Sequence, residues 1–138
     1  MTEQTSPAPV TVLVVEDDVL VRYCAVDALS EGGLRVLEAA TAPGAMALLE
    51  REHVDVLFTD VNMPGEFDGL ELARRVRLRW PHVAVVITSG RGTPDQMDEG
   101  VRFVPKPYVP DRLARLIGEV VVGHDEQGIA SKLSLLIG

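Results

Sequence analysis

Apolar residues occur along this chain in short bursts, and polar or turn-forming residues separate the bursts at regular intervals. TVLVV (11–15) is β-branched, too short for a helix, and closed by Glu16-Asp17-Asp18, so it reads as a strand. Further strands are expected over 34–39 (LRVLEA), 54–60 (VDVLFTD) and 83–89 (VAVVITS), with a very short fifth beginning RFVPKPY (102–108). Between them the period lengthens to that of a helix. Residues 19–33 form one that Gly32-Gly33 should stop. Thr41 can cap a second, with Pro43 in its first turn and Ala42, Ala45, Met46 and Leu49 on one face. A third runs from Asp68 to about Arg79 and is ended by Pro81. A last one opens at Pro110-Asp111 and places Leu113, Leu116, Ile117 and Val120 at i, i+3, i+4 and i+7.

Strands apolar on both faces, alternating with amphipathic helices, predict an α/β domain with a parallel sheet covered on both sides. Open sheets of this kind bind ligands outside the carboxyl ends of their strands. That edge collects the polar residues with no packing use: Glu16, Asp17 and Asp18 after the first strand, Asp60 after the third, Thr88-Ser89 after the fourth and Lys106 after the fifth. Asp18 alone is an ordinary helix cap, but the set needs compensation. Two like charges at ~4 Å repel by about 4 kcal/mol at an effective dielectric of ~20. Lys106 offsets one carboxylate. A hard divalent ion with oxygen ligands is the natural remainder, and Mg²⁺ suits such a set. Asp60 is then a candidate nucleophile for a phosphoryl group, with Mg²⁺, Thr88 and Lys106 around the equatorial oxygens.

Composition narrows the classes. The 138 residues fit one domain, and their formal charge of −8 argues against a nucleic-acid surface. No apolar stretch approaches the ~20 residues of a membrane span. MTEQTSPAP shows no secretory signal and Cys24 is the lone cysteine, so a cytoplasmic location is expected. The basic stretch ARRVRLRWP reads as the solvated end of a helix, where cations complement the dipole.

VLVVEDD, FTDVNMPG-x-x-DG, VITSG and FVPKPY, in this order and spacing, resemble the receiver domain of bacterial two-component response regulators, close to the single-domain chemotaxis type. The resemblance spans about residues 10–122, with 1–9 as a flexible lead-in and 123–138 as a C-terminal extension beginning at a Gly-containing polar break. It implies a five-stranded, doubly wound, flavodoxin-like sheet. It makes Asp60 the phospho-acceptor from a histidine kinase or histidine phosphotransfer protein, with an unknown downstream protein partner. Mg²⁺ would be held by Asp17 directly, by Glu16 mainly through water, and by Asp60 and the Asn62 backbone carbonyl. Thr88 and Lys106 would contact the phosphoryl group, Phe103 would be the aromatic switch, and the Lys106–Pro107 bond would be cis. Such a chain catalyses its own phosphorylation and dephosphorylation only, with Asn62 and Gly90 near the path of the attacking water.

Departures from the pattern are Glu16 where Asp is commoner, a turn at Gly65-Glu66-Phe67 about one residue longer than the commonest form, and a fourth helix shortened or lost. For that helix, Pro94 and Gly100 leave room for at most about one turn. The start at Met1 favours a complete protein; a receiver excised from a hybrid histidine kinase is the alternative. A phosphatase of the haloacid-dehalogenase type would need a second Asp where Asn62 stands. No phosphate-cradling Gly motif occurs. His53, His82 and His124 lack metal-ligand spacing and are expected on the surface, and Cys24 is expected in the core.

Overall fold

The computed structural model describes residues 9–94, 97, 98 and 100–137, with side chains as far as His124. The strands are β1 (Thr11–Val15), β2 (Arg35–Ala39), β3 (Val56–Asp60), β4 (Ala84–Ser89) and β5 (Arg102–Pro105). The helices are α1 (Val19–Glu31), α2 (Ala42–Arg51), α3 (Gly69–Arg79) and α4 (Pro110–Ile137). All five strands are parallel, in the order β2-β1-β3-β4-β5, which is the expected doubly wound arrangement.

Side chains alternate across the pleat, so each central strand feeds two cores. Val12, Val14, Val56, Phe58, Ala84 and Val86 face one side, where Ala25 and Leu29 of α1 and Leu113, Ile117 and Val120 of α4 cover them. Leu13, Val15, Leu57, Val85 and Ile87 face the other, under Ala45 and Leu49 of α2 and Leu72, Ala73 and Val76 of α3. Burying a side chain of this size is worth about 1.5–3 kcal/mol. The helix starts follow from local chemistry. Asp18 accepts from the Leu20 and Val21 amides (2.9 and 3.1 Å), Thr41 from Gly44 (3.1 Å) and Asp68 from Glu71 (3.0 Å), satisfying donors the helices cannot.

Two expectations hold with added detail, the lost helix and the exposed histidines, and two need correction, the break at Gly123 and the burial of Cys24. First, the described residues between Ser89 and Arg102 contain no helix. Gly92 and Gly100 adopt φ of 87° and 91°, left-handed values that stop a right-handed helix from propagating across either end. Instead Met97 and Val101 pack directly onto the α2/α3 side of the core. Second, α4 does not break at Gly123 but continues to Ile137. One interior Gly costs a helix only about 1 kcal/mol relative to Ala, too little to end it. Third, Cys24 is exposed. Ala25 and Leu29, one turn apart, are the buried positions of α1, and Cys24 lies a helical step to their side, near exposed Leu20 and Tyr23. Fourth, His53 and His82 are exposed as expected, yet their rings stack 5.5 Å apart. The lead-in over 1–8 lies outside the described residues. No helix among the described residues is long and apolar enough to cross a membrane.

Candidate functional site

Two strands deliver three carboxylates to one point at the carboxyl edge of the sheet. β1 ends and hands over to Glu16 and Asp17, while β3 ends on Asp60. One oxygen from each of Glu16, Asp17 and Asp60 lies within 4.8 Å of the others. Glu16 and Asp60 are 4% and 6% exposed, which rules out bulk water as the main compensation for their charge. Lys106, just past β5, supplies part of it: its Nζ donates to Glu16 Oε1 at 2.5 Å and lies 3.4 Å from Asp60 Oδ2.

The electrostatics record that the compensation is partial. Burial pushes the Glu16 carboxyl above its usual range, and the Asp60 charge adds to this against the opposing pull of Lys106. Burial alone would lower Lys106, but the Glu16 hydrogen bond and the Asp60 charge outweigh it and hold the ammonium above its ordinary value. A further cation would relieve both carboxylates.

β4 brings the hydroxyl. Thr88 is paired in register with Asp60 and is 2% exposed. Its Oγ1 is the buried side-chain polar atom among the described residues that has no hydrogen-bond partner. An orphaned buried donor on the strand next to the Asp60 carboxylate costs stability, and an incoming oxyanion would satisfy it. The Asn62 amide donates to Asp60 Oδ1 at 3.3 Å. Phe103 stands apart from this cluster: it is half-buried on β5, in register with Ile87 and packed against the α2/α3 core. The Lys106–Pro107 bond is cis.

Two residues have contacts that the sequence reading did not specify. Ser89 Oγ receives Nδ2 of Asn62 at 3.3 Å and the Arg91 amide at 3.0 Å, tying the loops after β3 and β4 together. Gly69, the first residue of α3, lies so close to Asp60 that a Cβ there would fall 1.8 Å from the Asp60 carbonyl oxygen. The Asp-Gly pair at 68–69 was visible, but only the fold shows what the glycine approaches.

The family model for the response regulator receiver domain matches residues 12–117. The chain belongs to this family. Receivers are signalling modules rather than enzymes in the usual sense, and they generally bind Mg²⁺, which the all-oxygen set of Glu16, Asp17 and Asp60 fits. The hydrogenase transcriptional regulatory protein HoxA of Cupriavidus necator is 34% identical over 131 residues, covering 91% of this chain and 27% of that protein. The sensor kinase CckA of Brucella abortus is 36% identical over 124 residues, covering 83% of this chain and 13% of the kinase. The receiver thus spans about a quarter or less of these curated relatives. Among solved structures, chemotaxis protein CheY4 of Vibrio cholerae superposes with a TM-score of 0.74 at 25% identity, covering 82% of this chain and 99% of that one.

Proposed function

We propose that this receiver takes a phosphoryl group onto Asp60 from a phosphohistidine in a histidine kinase or phosphotransfer protein. The observation that carries the reading is the convergence on Asp60 of two further carboxylates, the Lys106 ammonium and an unpartnered Thr88 hydroxyl. An Asp60 carboxylate oxygen forms the bond to phosphorus as the bond to the donor imidazole nitrogen breaks, and that nitrogen keeps the electron pair. Lys106 and Thr88 then donate to the phosphoryl oxygens, so Thr88 gains the partner it lacks and Lys106 shifts part of its charge from Glu16 to the new group. Bound Mg²⁺ would neutralise charge developing on the phosphoryl oxygens, held by Asp17, Glu16, Asp60 and the Asn62 backbone carbonyl. Water later cleaves the acyl phosphate, with Asn62 and Gly90 beside its path.

The donor has a surface to meet. Leu20, Val21, Cys24, Pro107, Tyr108 and Pro110 line an open apolar cavity of about 530 Å³ that adjoins Lys106 and Gly90. Leu20 and Tyr23 on α1 are 75% and 66% exposed. An apolar helix face carrying the phosphohistidine fits there. Phe103 is the proposed switch residue, responding to movement of Thr88 one strand away. Residues 10–122 form the receiver in this reading, and the continuation of α4 is an extension of it.

Intact mass after incubation with Mg²⁺ and acetyl phosphate tests the assignment. One added phosphoryl group is expected, absent in EDTA and in Asp60→Asn. Equal phosphorylation of Asp60→Asn would refute it.

A further inference from the structure

Glu16 lies one residue beyond the β1 ladder. Its amide still reaches across to the Ala39 carbonyl of β2 at 3.1 Å, but its own carbonyl has passed the end of the strand. Arg22, one turn into α1, turns back and donates Nη1–H to that carbonyl at 2.7 Å. The same guanidinium donates Nε–H to Glu38 Oε1 on β2 at 2.9 Å, and the Arg22 side chain is 18% exposed. The Arg22 amide is itself tied to the Asp18 carbonyl at 2.9 Å. The peptide unit between Glu16 and Asp17 is therefore fixed at its carbonyl by a planar, doubly anchored group.

That peptide unit joins the two carboxylates that β1 contributes to the acidic cluster. Rotating it would change the direction in which both side chains leave the backbone. We infer that Arg22 is a positioning residue: by clamping the Glu16 carbonyl it sets the separation of the Glu16 and Asp17 carboxylates from Asp60, and so the affinity of the site for Mg²⁺. Glu38 orients the guanidinium. This rests on the Mg²⁺-dependent reading above. Partners outside the ligand set commonly change metal affinity by about 10–100-fold when removed.

The sign of the effect separates positioning from simple charge. Arg22 is a cation near a cation site, so if it acted through its field alone, Arg22→Met would bind Mg²⁺ more tightly. Arg22→Lys, which keeps the charge but loses the planar fork, would then be unchanged. Positioning requires both variants to bind more weakly, about 10-fold for Met and about 3-fold for Lys. The experiment is Mg²⁺ titration of the full chain by calorimetry, with urea midpoints in EDTA reporting the fold separately. Arg22→Lys carries the test if Arg22→Met does not fold. Unchanged or tighter Mg²⁺ binding by Arg22→Lys overturns the role of Arg22 and leaves the site intact. A wild-type chain that binds no Mg²⁺ overturns the parent reading and this inference together.

Discussion

Replacing Gly69 by Ala would test whether the backbone carrying Asp60 is held by close contact with α3. Elsewhere in a helix this change is favourable by up to about 1 kcal/mol, because Ala loses less conformational entropy. Here the added Cβ would sit 1.8 Å from the Asp60 carbonyl oxygen, 2.8 Å from its carbon and 3.0 Å from the Val61 Cα. All three atoms are backbone, so no rotamer change relieves the overlap. The start of α3 or the end of β3 must move by about an ångström, with the Gly69 amide bond to the Val61 carbonyl (3.0 Å) in the way. Overpacking typically costs about 1–3 kcal/mol and more where backbone must shift, so a net loss of about 2–4 kcal/mol is expected. Urea unfolding in EDTA measures it, and the rate of acetyl phosphate-dependent mass gain reports on Asp60. Gly118→Ala is the control: a helical glycine with nothing within 4 Å, it should raise stability by about 0.5–1 kcal/mol. Gly69→Ala as stable as wild type would refute the contact. Lost stability with an unchanged phosphorylation rate would refute its bearing on Asp60.

The acidic cluster predicts that Asp60→Asn is more stable than wild type in EDTA. Repulsion from two carboxylates at up to 4.8 Å is about 3.5 kcal/mol each and attraction to Lys106 at 3.4 Å about 5 kcal/mol at a dielectric of ~20. After solvent screening a net gain of about 1–2 kcal/mol remains, and the Mg²⁺-induced rise in melting temperature should shrink. Tyr108, edge-on to Phe58 at 5.5 Å, has its hydroxyl pushed up to about 12, first by burial and then by the charge of Glu16. A raised value favours the neutral phenol in the fold, so its contribution is complete below pH ~10 and lost as pH rises towards 12. Tyr108→Phe should remove about 1–2 kcal/mol of alkaline destabilisation, discounted for partial exposure, in urea midpoints across that window. Leu29→Ala, fully buried between α1 and the sheet, should cost about 2–5 kcal/mol by thermal or urea unfolding, with Mg²⁺ affinity retained.

What the sequence made legible were features with local causes. Strand β1 was bounded by its β-branched run and the acidic triplet, and α2 and α3 by Thr41 and Asp68, whose side chains bond within their own first turn. The meeting of Glu16 with Lys106, 90 residues away, followed from one rule about strand ends in parallel sheets. Contacts that depend on exact helix phase did not follow: Cys24 fell outside the core by one helical step, and Gly69 and Arg22 gave no sign of what they touch. The stop assigned at Gly123 overrated a single weak residue. The stretch after β4 was read correctly as unable to hold a full helix, but not as a direct cover for the core.

Helix α4 starts four residues after Lys106, so the lysine of the acidic cluster and the root of the helix share one short piece of chain. Its 28 residues make a rod of about 42 Å, while the residues seated on the sheet, Leu113 to Val120, occupy only about 10 Å of it. Just beyond them Val121 still packs on the core and His124 Nε2 lies 3.0 Å from the Pro81 carbonyl oxygen. A tilt of about 10° pivoting at Ile117 would carry the helix end at Ile137 through about 5 Å. A rotation at the root too small to alter the sheet is thus magnified along the length of the helix.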